Sequence, residues 1–115
     1  MASDRMRRVD EAVRQVLSDA VAQDLQDPRI GFVTMTSVKT TSDLRHARVY
    51  VSVLGSDSER EATIAGLRSA HGALQRRLAS ELRMKHTPTL EFLYDDTTDR
   101  AMHLEEILRR EGRET

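Results

Sequence analysis

The stretch Arg48-Val49-Tyr50-Val51-Ser52-Val53-Leu54, followed at once by Gly55-Ser56-Asp57-Ser58, decides the fold. Valine at every second position turns one face of a pleated strand toward a core and leaves Arg48, Tyr50 and Ser52 on the other. Gly55 and the serines break the strand. Ser58 with Glu61 forms a capping box for the helix that follows, and Ser56 with Glu59 is a second candidate. Upstream, Phe32 to Thr40 is rich in Val, Thr and Phe and reads as a partner strand. The polar turn Thr41-Ser42-Asp43-Leu44-Arg45 joins the two into a hairpin with one face packed on helices.

Further upstream, Met6, Val9, Val13, Val16, Leu17 and Ala20 recur at helical spacing, predicting a helix from about Asp4 to Leu25. Gln26-Asp27-Pro28-Arg29-Ile30-Gly31 stops it, since Pro28 cannot extend a helix and pushes Asp27 toward extended backbone. Downstream, a long helical region runs from about Glu59 to Lys85. Its apolar stripe is Ile64, Leu67, Leu74, Leu78 and Leu82, with His71 in register and Gly66 and Gly72 as interruptions. Gly72 in mid-pattern predicts a kink or a close backbone approach. Thr87-Pro88 ends this region, and Thr89 to Tyr94 reads as a third strand with Leu90, Phe92 and Tyr94 on one face. Asp95-Asp96-Thr97-Thr98 can cap a short final helix striped by Met102, Leu104, Ile107 and Leu108. Glu111 to Thr115 reads as a frayed tail.

The order is helix, strand, strand, long broken helix, strand, short helix. It predicts one α+β domain over residues 1–115, with a core of about residues 4–108 and helices on one face of a three-stranded sheet. The order matches the type II KH arrangement of nucleic-acid-binding domains.

Composition narrows the function. The 115 residues are 38% hydrophobic and 32% charged but only 3% aromatic, so the core is aliphatic. The chain has no cysteine, which excludes disulfides, zinc–thiolate sites and a cysteine nucleophile. No apolar run approaches a membrane span, and Met1 to Val9 lacks the pattern of a signal peptide; a cytoplasmic protein is expected. The net charge is −1, yet the charges are segregated. Arg68, Arg76, Arg77, Arg83 and Lys85 face Glu81 alone in the middle of the chain. Glu91, Asp95, Asp96, Asp99, Glu105, Glu106, Glu111 and Glu114 make the end acidic.

The chain resembles the ribosome-binding factor A family from about Arg5 to Leu108. The resemblance rests on Asp27-Pro28-Arg29-Ile30-Gly31-Phe32-Val33-Thr34, then Ser42-Asp43-Leu44, Ala47 and Val49-Tyr50-Val51-Ser52-Val53. Arg5, Arg8 and Val9 fit before these, and Ala70-His71-Gly72, Leu82, Pro88, Leu90, Phe92 and Asp95 after them. The resemblance implies a KH-like domain that lacks the Gly-x-x-Gly loop and carries an Ala-x-Gly kink instead, here Ala70-His71-Gly72. It implies a non-enzymatic factor that binds free 30S subunits and 16S rRNA late in maturation, assists processing of the RNA 5′ end, and supports growth in the cold. Lys85 stands where the family usually has Arg, and Gln75 near a usual basic position.

The residues suggest where RNA would meet the chain. In a continuous helix Arg68, Arg76 and Arg83 share one face, and Arg77, Lys85 and His86 extend it. About five neutralised phosphates would give a log–log salt slope of about −3.5 to −4.5. Arg7 and Arg8 are supporting candidates, diluted by Asp4, Asp10 and Glu11. Arg45 and Arg48 flank the hairpin and either touch RNA or line a solvent face. Gly72 either lets two short helices pack or frees backbone N–H groups for a phosphate. His71 reads as a core or boundary histidine with a satisfied ring. With so few aromatics, recognition is expected to rest on shape and backbone more than on stacked bases.

No catalytic residue, metal site, cofactor, small-molecule substrate or membrane contact is expected: the histidines are dispersed, Asp95, Asp96 and Asp99 lack the pattern of a calcium loop, and neither a P-loop nor a nucleophile elbow is present. A monomer is expected. The rival expectation is a protein-binding α+β adaptor that uses the acidic C-terminal half.

Overall fold

The computed structural model describes residues 3–114, with side chains outside 98–103 and 113–114. The elements are α1 (Asp4–Gln23), β1 (Val33–Thr40), β2 (His46–Val53), α2 (Asp57–Ser69), α3 (His71–Leu82), β3 (Thr89–Tyr94) and α4 (Thr97–Glu114). The sheet order is β1-β2-β3. β1 and β2 pair antiparallel, and β2 and β3 pair parallel, joined by the α2–α3 crossover. This is the expected α+β architecture.

The alternation in β2 does what the valines dictate. Ala47, Val49, Val51 and Val53 are buried under the helices, together with Met35 and Val38 of β1 and Leu90 and Phe92 of β3. α1 closes this core with Val13, Val16, Leu17 and Ala20, and the crossover helices add Leu67, Leu74 and Leu78. Each of the Val, Leu, Met and Phe side chains among them contributes roughly 1.5–3 kcal/mol by leaving water. A bulge between Met35 and Ser37 sets Thr36 on the open face, where its hydroxyl donates to Asp95 Oδ2 at 2.7 Å. Asp10 of α1 accepts from the Thr40 N–H at 2.8 Å, fastening the helix to the edge strand.

Four expectations need correction. The capping box is Ser56 with Glu59, not Ser58 with Glu61: the Ser56 hydroxyl accepts from the Glu59 N–H and the Glu59 carboxylate from the Ser56 N–H. The long helical region breaks as expected, into two helices that bend at Ala70 (φ −87°, ψ 5°), but the second stops at Leu82 rather than Lys85. Arg83 follows in left-handed backbone (φ 49°), so it cannot share a helical face with Arg68 and Arg76. The glycine that permits close packing is Gly66: a Cβ there would lie 2.7 Å from Ile30 Cγ1, whereas one on exposed Gly72 would meet only Arg76 Nη1 at 3.5 Å.

The last helix is longer than its apolar stripe suggested and runs through Glu114, where a frayed tail was expected. Its described apolar residues do not pack: Leu104 and Leu108 are 57% exposed and Ile107 38%. The Cα radius of gyration is 16.7 Å, against about 13 Å for a compact domain of this length. Asp99 and Met102 lie outside the described side chains, as does Glu114, and Thr115 lies outside the described residues altogether.

Candidate nucleic-acid interface

The turn between β1 and β2 is built to hold an unusual backbone. Leu44 adopts φ 61°, which a residue with a Cβ seldom does. Its N–H donates to Thr41 O at 2.8 Å, and Asp43 Oδ1 accepts from the Thr41 hydroxyl at 2.6 Å and the Arg45 N–H at 3.1 Å. These bonds, the Thr41 hydroxyl foremost, hold the Asp43 carboxyl below its ordinary pKa. The Arg45 carbonyl then accepts from the Thr89 N–H at 2.8 Å, which ties the hairpin turn to the start of β3.

That tie brings three distant segments together. Arg8 of α1, Leu44 of the turn, and Met84, Lys85 and His86 of the α3–β3 loop line one groove of about 450 Å³. Arg45, His46 and His86 share an adjoining one of about 330 Å³. Lys39, His46 and Arg48 border a third, of about 600 Å³, with Glu91. Arg48 approaches Glu91 at 3.8 Å, but both are exposed and such a pair contributes little. The hairpin end therefore presents a run of cations in which Asp43 and Glu91 are the lining carboxylates. His46 and Lys39 were missed by sequence reasoning; only the hairpin register places them here.

The remaining candidates fall elsewhere. Arg68 and Arg76 stay exposed on either side of the kink and line none of these three grooves. Arg77 is engaged by protein. Its guanidinium reaches the Glu81 carboxylate one turn on, Asp24 at 2.6 Å and Gln23 at 2.9 Å, with its side chain 23% exposed. Glu81 first and Asp24 second raise its pKa further above the ordinary arginine value. It clips α3 to the end of α1. Arg7 pairs with Asp4 at 2.7 Å, an exposed contact that leaves it available. Arg83 is exposed at the end of α3 beside the loop.

The kink itself is held from the sheet. His71 Nε2 accepts from the Leu90 N–H at 3.0 Å, which ties the ring to β3 at the boundary of the core. Gln75 donates to the carbonyl of buried Pro88 at 3.0 Å, which explains an amide near a usual basic position. The loop Asp27 to Gly31 is architectural. Arg29 grips Asp27 through side chain and backbone, drawing the Asp27 carboxyl down to about 2. The buried Thr63 hydroxyl bonds both Gly31 N–H and Arg29 O, at 3.2 Å each. Among the described residues no three His, Asp or Glu side chains group to hold a metal ion, and no helix is long and apolar enough to cross a membrane.

Comparisons with known proteins converge. The profile described as ribosome-binding factor A matches residues 5–108. The ribosome-binding factor A of Chloroflexus aurantiacus is 42% identical over 110 residues, covering 95% of this chain and 87% of that protein. The crystal structure of ribosome-binding factor A from Thermus thermophilus superposes with a TM-score of 0.70 at 28% identity, over 77% of this chain and 93% of that one. Coordinates of the Thermus thermophilus factor fitted into a map of a 30S–RbfA complex align with a TM-score of 0.63 at 29% identity, over 75% and 90% of the two chains.

Proposed function

The chain belongs to the ribosome-binding factor A family, and from that premise we propose that it is a non-enzymatic factor for late maturation of the small (30S) ribosomal subunit. It binds free 30S subunits and their 16S rRNA as a cytoplasmic monomer, without cofactor. By binding one RNA conformation more tightly than another it shifts the RNA toward that form, since a ligand moves an equilibrium only by its differential affinity. Assistance with processing of the 16S rRNA 5′ end and support of growth in the cold follow from that shift.

The observation that carries this reading is the convergence of Arg8, Arg45 and Lys85 from three separated segments on one end of the molecule. Clustered cations release counterions when they meet phosphates together. Arg83, His86 and Arg48 widen the surface, and Arg68, Arg76 and Arg7 add secondary contacts. Arg77 leaves the set, because its guanidinium is already engaged by Asp24 and Glu81. With Arg8, Arg45, Arg83 and Lys85 on phosphate, the log–log salt slope is about −2.8 to −3.6.

The test is sedimentation of purified protein with 30S subunits over a range of salt. Co-migration that weakens steeply with salt supports the reading, and affinity indifferent to salt refutes it. A second reading is favoured by one feature: α4 exposes Leu104, Ile107 and Leu108 beside Glu105, Glu106 and Glu111, as a helix that docks on a protein does. Under that reading, deletion of α4 abolishes subunit binding and reversal of Arg45 and Lys85 does not.

A further inference from the structure

We propose that the groove between α1, the hairpin turn and the α3–β3 loop is a slot for one unstacked base of single-stranded RNA, whose flanking phosphates meet the cations at its mouth. The proposal rests on the RNA-binding reading above and adds what that surface recognises. The walls are Val9 and Ala12 of α1, Leu44 of the turn, and Leu82 and Met84 at the end of α3, enclosing about 450 Å³. That volume is in the range of small-ligand sites, which are likewise mostly apolar with a few polar groups. Arg8, Lys85 and His86 stand on the same groove. An apolar protein side chain would fill the walls but leave the cations without partners. A nucleotide presents an apolar face and an anionic backbone together, and sequence-specific RNA recognition takes splayed-out bases of this kind.

Two details of the turn fit the slot. Leu44 is held at φ 61° by the bonded turn, and this conformation puts an aliphatic side chain on the groove where glycine would be the easier residue. Among the described residues, the Thr41 hydroxyl and the Arg45 N–H both donate to Asp43 Oδ1. Oδ2 is left to accept an N–H from a base edge, while its charge repels phosphate, so the base rather than the backbone enters. No aromatic residue lines the groove. Met84 supplies the polarisable partner, since thioether sulfur makes favourable contacts with aromatic rings.

The experiment titrates the wild-type chain with two single-stranded pentaribonucleotides, one bearing aminopurine at its centre and one abasic there. The base-bearing strand is expected to bind about tenfold more tightly or better, with the same salt slope for both. Methyl resonances of Leu44, Leu82 and Met84 should shift only with the base-bearing strand. Equal affinities with unmoved methyls overturn the slot but leave the phosphate surface standing, because the salt slope persists. Loss of the slope for both strands overturns the RNA reading as well. Ala12→Phe, which fills the groove without touching a charge, should reduce the affinity of the base-bearing strand to that of the abasic one. If instead it spares both strands and abolishes subunit binding, the groove takes a protein side chain and the proposal fails.

Discussion

Arg77 and Lys85 stand on the same basic stretch, and the fold treats them in opposite ways. Arg77 lies on the side of α3 that faces α1, within reach of Asp24, Gln23 and Glu81, and its side chain is mostly covered. Lys85 lies past the left-handed turn at Arg83, on the groove beside Arg8 and His86. One cation binds the protein to itself, and the other is left for a partner. A run of like charges is thus not a binding face until the tertiary contacts of each member are known. The side of α3 that faces α1 is structural, and the loop that follows the helix is accessible.

The largest effect should come from the buried side of α3. Leu78→Ala is expected to destabilise the fold by about 2–5 kcal/mol, read by denaturant unfolding, with the affinity of the folded fraction unchanged. A fall in that affinity as well would erase the distinction between body and loop. The reverse case is the double variant Arg45→Glu with Lys85→Glu. Subunit affinity at low salt should drop roughly hundredfold, about 2.7 kcal/mol, with little change in melting temperature. The sharpest form compares Arg77→Gln with Lys85→Gln. The first should lower the melting temperature and spare the salt slope; the second should flatten the slope by about 0.7–0.9 and spare the melting temperature. Exchange of those outcomes would refute the assignment.

A similar pair separates the two glycines of the crossover. Gly66→Ala should cost about 1–3 kcal/mol through the clash with Ile30. Gly72→Ala, on an exposed helical position with room for a methyl group, should stabilise by about 0.5–1 kcal/mol. The smallest effect concerns acid. Asp27 has its folded pKa lowered from 3.8 to about 2, with the Arg29 side chain as the chief cause. A depressed carboxylate adds stability that is full above its unfolded pKa and is lost as pH falls through the folded one. Asp27→Asn should therefore flatten the loss of stability between about pH 4 and 2 in thermal melts, and an unchanged acid limb would show that the pair contributes nothing.

Local chemistry was the legible part. Alternating valines announced β2, the first helix was legible although it ends at Gln23, ahead of the expected stop before Pro28, and a capping box announced α2, although reading Ser58 for Ser56 misplaced it by two residues. The fourth helix was underestimated because its apolar stripe stops at Leu108 while its polar residues continue in helical form. The cationic site was half legible. Lys85, His86, Arg45 and Arg8 were all named as candidates, but the expected arrangement along one continuous helix does not exist. His46 and Lys39 carried no signal, since a single basic residue in a strand is ordinary until the register sets it beside others.

The amino-acid sequence by itself determined the order of elements, the aliphatic core and the family, because periodicity, capping and turn chemistry act over a few neighbouring residues. The tertiary structure alone decided which cations stay available. Asp24 and Arg77 are 53 residues apart in the chain and 2.6 Å apart in space, while Arg8, Leu44 and Lys85 line one groove. Contacts of that range are set by the packing of the whole core, so no local pattern of residues encodes them.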